Sequence, residues 1–359
     1  MSEMHELIID STTKILKDKC TKELVDTVEK GVWPEDLWNV LVESGITTIA
    51  VPDSIGGTGG DYIDAFHILR LAGKFSLPLP LAETLITNWL LADQGESPLF
   101  EPLTFSMKDN TLEIEQVEEA YLVNGTIENV PWGRFANKIL VIGQMNNQNT
   151  MALLPLEKAE IQQSSNLAGE PMDTVIFDQV KMDLDNTYQI DKDQIMKKTM
   201  LLGALAKAVM MSGALEKALD LSIQYAKERE QFGRPLFKLQ VIQQYIATIA
   251  GETVASLTIS NKAISAFEQG SYEEEVANAK LKVNESAGIV SEIAHQVHGA
   301  IGVTHEHQLH QLTRRLWSWR EDFGDENHWA EQLANRVLNN CSQSLWEFIT
   351  RSEQKEPVK

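Results

Sequence analysis

Apolar residues recur at three- and four-residue spacing over residues 3–92, for example in LWNVLVESGI and YIDAFHILRLAGKF, and that period predicts helices. Between these stands SGITTIAVPDSIGGTGGD, where Pro52 and five glycines stop any helix and force a tight irregular loop. Glycines this dense can cradle a phosphate, but neither G-x-x-x-x-G-K nor G-x-G-x-x-G is present, so the segment reads as a connection between helices. Prolines in LPLPLAETLITNWLLADQG fix an extended entry before a helix resumes over 82–93. Near Leu99 the period changes. AYLVNGTIENV, KILVIGQ, NTMALLPL and DTVIFDQVKMDL are short, rich in β-branched residues and separated by Asn, Gly and Asp, which predicts strands in a small antiparallel barrel or sandwich. Pro131-Trp132-Gly133 interrupts one of them, and its Trp reads as a rim-packing residue. The helical period then returns, with helices predicted over 197–229, 238–268, 272–298, 305–321 and 327–351. Gly203 and Gly213 each cost the first of these roughly 1 kcal/mol relative to Ala, so close helix packing is expected there. The predicted fold is mainly α with a small β-barrel: an N-terminal helical domain (1–98), a barrel (99–193) and a C-terminal four- to five-helix bundle (194–359).

With 359 residues, 43% of them hydrophobic, the chain is long enough for two or three packed units. Its richest apolar run is broken by Lys207, which argues against a membrane span. The opening MSEMHELIID lacks a basic-then-apolar signal pattern, and a cytoplasmic protein is expected. Cys20 and Cys341 are too few for a disulfide scaffold. A formal charge of −21 disfavours nucleic acid and anionic lipid as partners, since the long-range field repels both. Any phosphate-bearing ligand must then find a local cationic site, which directs attention to the few Arg clusters. His295, His298, His305, His307 and His310 lie close in sequence but form no H-E-x-x-H pattern. They read as polar helix faces around a cofactor or interface, and no metal site is expected.

YAKEREQFGRPLFKLQVIQQ, over 225–244, resembles the signature of the acyl-CoA dehydrogenases. HQVHGAIGVTHEHQLHQLTRR resembles their second signature, and SGITTIAVPDSIGGTGGD is similar to their N-terminal proline–glycine loop. The similarity spans nearly the whole chain, and PLPLAETLITNWLLADQG resembles the branch whose members work as paired, unlike subunits in breakdown of sterol or other bulky acyl-CoA. The resemblance implies FAD between bundle and barrel, with its adenosine end crossing to a neighbouring subunit. It places flavin contacts on Arg229, Gln231, Phe232, Gln240, Gln296, Gly299 and Gly302. The residue types are suited to those contacts, because a guanidinium fork matches a pyrophosphate, glycines let backbone approach a ligand, and glutamines donate and accept on adenine or ribose edges. The resemblance further implies an acyl-CoA substrate, a homo- or hetero-oligomer built as a dimer or dimer of dimers, and an electron-accepting flavoprotein partner if the chain is active.

The family removes an α-proton with a carboxylate while hydride passes to the flavin. Matching this sequence to the second signature puts the usual glutamate on Phe323, and the alternative position used by some members falls on Gly203. Both customary sites are therefore empty. Glu321, Asp322 and Asp325 flank the gap and are candidate substitutes, or else solvated loop carboxylates and a helix N-cap. The flavin-binding T-E-P-x-x-G-S-D segment has LFEPLTFSMKDNTLEI in its place, and Asn129-Val130-Pro131 stands at the W-I-T contact. Arg314 and Arg315 could meet a phosphate of CoA or brace a subunit contact. Three functions remain open: an FAD-dependent acyl-CoA dehydrogenase acting as one subunit of a complex, a catalytically silent partner that shares a cofactor, and a flavoprotein of this fold acting on a non-thioester substrate.

Overall fold

The computed structural model describes residues 3–107, 112–117, 120–145, 148–182, 187–231 and 233–339. The first unit is helical: α1 (Glu3–Lys19), α2 (Lys22–Val28), α3 (Glu35–Glu43), α4 (Tyr62–Lys74) and α5 (Leu81–Ala92). Side-chain oxygens start two of them, Thr21 accepting from the Leu24 amide and Asp61 from the Asp64 amide, so orphan N–H groups are satisfied. The glycine-rich connection forms two short 3-10 turns. A Cβ on Gly57 would lie 2.2 Å from the Val51 carbonyl oxygen, so this turn needs glycine for a close backbone approach. Trp89 ties the loop to α5 by donating to the Ile49 carbonyl at 2.9 Å.

The middle unit holds β1 (Leu103–Ser106), β2 (Leu112–Val117), β3 (Ala120–Pro131), β4 (Lys138–Met145), β5 (Gln148–Pro155), β6 (Glu160–Gln162), β7 (Met172–Met182) and β8 (Thr187–Gln189). They form one sheet in the order β6-β7-β3-β2-β4-β5-β8, with β1 on β4. The purely antiparallel expectation needs correcting, because β1 and β2 both meet β4 in parallel. The chain enters from α5 along β4 and completes the β2–β3 hairpin before β4 itself is reached, so no tight hairpin joins the parallel pairs. Burial explains the run KILVIG: Ile139 and Val141 face the core of this unit, while Leu140 and Ile142 face the helices. A strand covered on both sides reads as continuously apolar rather than alternating.

The third unit contains α6 (Lys192–Glu228), α7 (Gln240–Gln269), α8 (Glu273–His298), α9 (Leu309–Glu321) and α10 (Glu326–Asn339). The predicted extension of the last helix to 351, and Cys341, lie outside the described residues. Asp191 caps α6 through the Gln194 amide, which starts this helix ahead of the predicted position. Where α4 crosses α6, a Cβ on Gly213 would sit 2.0 Å from the Arg70 carbonyl oxygen, and one on Gly73 would sit 1.8 Å from that of Met210. The two helices pass glycine against backbone, which is the close packing expected at Gly213. α6 is long and apolar enough to cross a bilayer, but 89% of its apolar window is buried inside the protein. Its hydrophobicity serves the core.

Candidate active site

A cavity of about 420 Å³ opens where the three units meet. α5 supplies Glu83, β1 supplies Phe105, the end of β3 supplies Asn129 and Pro131, α6 supplies Met196, Met200 and Lys207, and the turn after α9 supplies Asp322, Phe323 and Gly324. Three of its lining residues, Asn129, Trp132 and Phe323, are non-glycines held at φ of 57°, 59° and 55°. Left-handed backbone at such residues costs on the order of 1–3 kcal/mol each and gathers at functional sites. Trp132 is accordingly a cavity wall as well as a packed residue.

The polar end of the cavity is a buried ion cluster. The Lys207 ammonium lies 3.3 Å from Glu83 Oε1 and 3.4 Å from Asp322 Oδ2, and 5.7 Å from the centre of the Trp319 ring. Glu170 completes it, accepting from Trp319 Nε1 at 2.9 Å and pairing with Arg315 Nε at 3.4 Å. Burial pushes the Glu83 carboxyl above its usual range. Burial also works against the Lys207 charge, but Glu83, Asp322 and Glu170 outweigh it and hold the ammonium charged. Lys207 thus pairs with two of the carboxyl groups and Arg315 with the third, all in a poorly solvated space.

The turn bearing Asp322 is fixed from behind. Lys280, fully buried on α8, donates at 3.0 Å to the Trp319 and Arg320 carbonyls and at 2.9 Å to Asn284 Oδ1. Those carbonyls belong to the last turn of α9 and have no partner further along the helix. Burial pulls the Lys280 ammonium down to about 7.

The sequence candidates separate clearly. Asp322 lines the cavity, Glu321 is exposed, and Asp325 accepts from the His328 amide at 2.8 Å at the start of α10. Phe323 and Gly203 are neighbours: a Cβ on Gly203 would fall 2.3 Å from the Phe323 ring. The two positions to which the resemblance assigns a glutamate thus lie against each other, and the Phe323 ring, which lines the cavity, fills the space beside Gly203. Arg314 and Arg315 have their charges engaged within the chain. Arg314 meets Glu29 Oε2 at 2.6 Å, and Arg315, fully buried, meets Glu29 Oε1 at 3.1 Å and Glu170. They brace α9 against α2 and the sheet. Sequence reasoning missed Glu83, Glu170 and Lys207 as site residues; the available signal for two of them was a lone charge inside an otherwise apolar helix.

The two signature segments also come together. Tyr225 stacks on His298 with ring centres 4.6 Å apart, over a small cluster of Ala226, Leu236, Ile242 and Val297. Arg229 ends α6, and Gln231 pairs with Arg234 in a two-residue hairpin turning at Gly233. Arg229, Gln231, Gln240 and Gln296 are exposed, and Phe232 lies outside the described residues. Arg229 forms no ion pair with Glu228 or Glu230 among the described residues; Glu228 accepts instead from Gln224. Gly299 ends α8 at φ 63°, ψ −147°, a combination open essentially only to glycine. An exposed guanidinium and a glycine-only turn on neighbouring segments fit a pyrophosphate-bearing ligand lying on this surface.

Burial holds the His298 imidazole down to about 4, so it stays neutral in the folded chain at pH values where the unfolded chain binds a proton. The folded state then loses stability as pH falls from about 6.5 towards 4. Thermal melts across that range should show a shallower decline for His298→Gln than for the parent chain.

The chain runs in the order helical, sheet, helical, with a cavity at the junction of the three units. Family models for the acyl-CoA dehydrogenase N-terminal domain and C-terminal domain match residues 2–97 and 194–338. The chain belongs to the acyl-CoA dehydrogenase family. It is 25% identical to the acyl-CoA dehydrogenase IpdE2 of Mycolicibacterium smegmatis over 343 residues, covering 94% of this chain and 100% of that protein. It is also 25% identical to an acryloyl-CoA reductase (NADH) of Anaerotignum propionicum over 329 residues, covering 79% and 81% respectively. Among solved structures, a chain of the ChsE4–ChsE5 complex from Mycobacterium tuberculosis superposes with a TM-score of 0.84 at 19% identity, over 95% of this chain and 98% of that one.

Proposed function

We propose that this chain is an FAD-dependent oxidoreductase acting on the α,β-bond of an acyl-CoA thioester, as one subunit of an oligomer, with Asp322 handling the α-proton. The observation that carries this is the Asp322 carboxylate, lining the junction cavity one residue from the position where the family places its base. Bound flavin would supply the hydride-accepting ring. Arg229, Gln231, Gln240, Gln296 and the Gly299 turn would hold its phosphates and adenosine, and their exposure on a single chain suits a site closed by a second subunit. Lys207 keeps the Asp322 carboxylate aimed, while Phe323, Met196 and Met200 exclude water around the reacting carbons. A dry site raises the reactivity of the carboxylate towards a weakly acidic C–H.

A second reading rests on the Phe323 ring that fills the corner beside Gly203: a silent subunit that lends flavin contacts to a partner carrying the base. Visible absorbance and its anaerobic bleaching by acyl-CoA separate the two. The chain would be purified alone and together with the product of any adjacent gene of similar length. A yellow complex that bleaches, and loses bleaching with Asp322→Asn in this chain, supports the active reading. Bleaching untouched by that substitution supports the silent one. If neither preparation holds flavin, the cofactor assignment fails.

A further inference from the structure

We propose that Asp26, His305 and His310 form a divalent transition-metal site, of the zinc type, linking α2 to the segment that follows the Gly299–Val303 turn. One donor atom from each of the three lies within 4.8 Å of the other two. The His305 and His310 rings meet edge to face at 5.0 Å between centres. His310 is 6% exposed, and its Nε2 is buried with no hydrogen-bond partner. An orphaned imidazole nitrogen inside a folded chain is costly and calls for a partner.

Neutral imidazole and ionised carboxylate are the forms of these side chains that bind a metal. Two nitrogens and a carboxylate oxygen suit zinc, cobalt or nickel rather than magnesium or calcium. Zinc bonds of about 2.0–2.1 Å place tetrahedral ligands ~3.3 Å apart, so the donors must draw closer. His305, exposed in the irregular turn before α9, is the one free to move and also opens the path from solvent.

Gln311 supports the site from behind, donating to Asp26 Oδ1 at 2.7 Å and to the Lys22 carbonyl at 3.1 Å, as outer-sphere partners orient ligands elsewhere. Among the groups facing the cluster, Lys22 opposes a cation: its ammonium is 2.5 Å from Asp26 Oδ2. Arg314 is engaged by Glu29. The pairing of Lys22 with Asp26 makes the site a competition between an ammonium and a metal ion for one carboxylate. That competition distinguishes it from adventitious binding at the other histidines, His295, His298 and His307. Spacing along the sequence could not reveal the site, because its third ligand comes from α2.

The test uses the full chain without an affinity tag, stripped with chelator and titrated with zinc chloride at neutral pH in a calorimeter. One zinc per chain is expected. His305→Ala, which removes an exposed side chain and leaves the fold intact, and Asp26→Asn should each weaken binding by about tenfold or more, the scale on which even supporting residues act. Lys22→Met should tighten it. His310→Ala opens a buried site, so it serves only as a supporting variant. The proposal is overturned if the parent chain binds no zinc stoichiometrically, if His305→Ala and Asp26→Asn bind as the parent does, or if Lys22→Met leaves the affinity unchanged.

Discussion

Asp322→Asn is expected to lower turnover of acyl-CoA by the flavin-loaded complex by about 10²–10⁴-fold, the usual contribution of a positioned general base. The substitution is close to isosteric, and its amide oxygen still accepts from Lys207, whose ammonium lies 3.4 Å from Asp322 Oδ2 in the parent. The turn itself is held by Lys280 through the carbonyls of Trp319 and Arg320, neither of which the substitution touches. Fold, flavin content and substrate binding should therefore survive while the chemical step is lost. Stopped-flow reduction of the flavin by acyl-CoA reads that step directly. An unchanged reduction rate at full flavin occupancy would move the base to another residue or to a partner subunit. Glu321→Gln is the matched control, since Glu321 is exposed outside the cavity, and it should leave the rate unaltered.

The second large effect is on stability. Lys207→Met should destabilise the chain by about 3–5 kcal/mol, the cost of removing one partner from a buried ion pair. Methionine fills much of the space, so the loss arises from charge: Glu83 is 4% exposed and would lose the ammonium that pairs with it and with Asp322. The deficit has a distinctive pH dependence. Burial already holds the Glu83 carboxyl above its usual range, and without the lysine it binds a proton more readily still. In the variant the folded state takes up a proton at pH values where the unfolded chain does not, so its deficit shrinks as pH is lowered. Adding Glu83→Leu should restore much of the loss, because replacing a whole buried pair with apolar side chains is near neutral or stabilising. Urea unfolding of the two single variants and the double variant checks this as a cycle. Additive losses would show that Lys207 and Glu83 are not coupled.

The helical and strand periods carried most of the architecture. LWNVLVESGI, YIDAFHILRLAGKF and the strand runs announce their elements because each element repeats its burial at its own period. The parallel meeting of β1 with β4 was hidden, since a strand records which faces are covered and not which neighbour it pairs with. The signature residues were legible for a related reason. Glycines where φ is positive, at Gly233 and Gly299, are requirements of local backbone geometry.

What the sequence determined by itself is the order of helical, sheet and helical units, the glycine-dependent turns and the family to which the chain belongs. What only tertiary structure decided is the site's interior. Glu83, Lys207 and Asp322 come from three distant segments, and α5 and the 201–215 stretch of α6 are buried on nearly every face, so no periodicity marks the side that looks into the cavity. The Phe323 ring against Gly203 and the left-handed backbone at Asn129, Trp132 and Phe323 likewise follow from packing around a space. The pairing of Asp26 with His305 and His310 has the same origin: groups far apart in the chain acquire their chemistry only from the distances that folding sets.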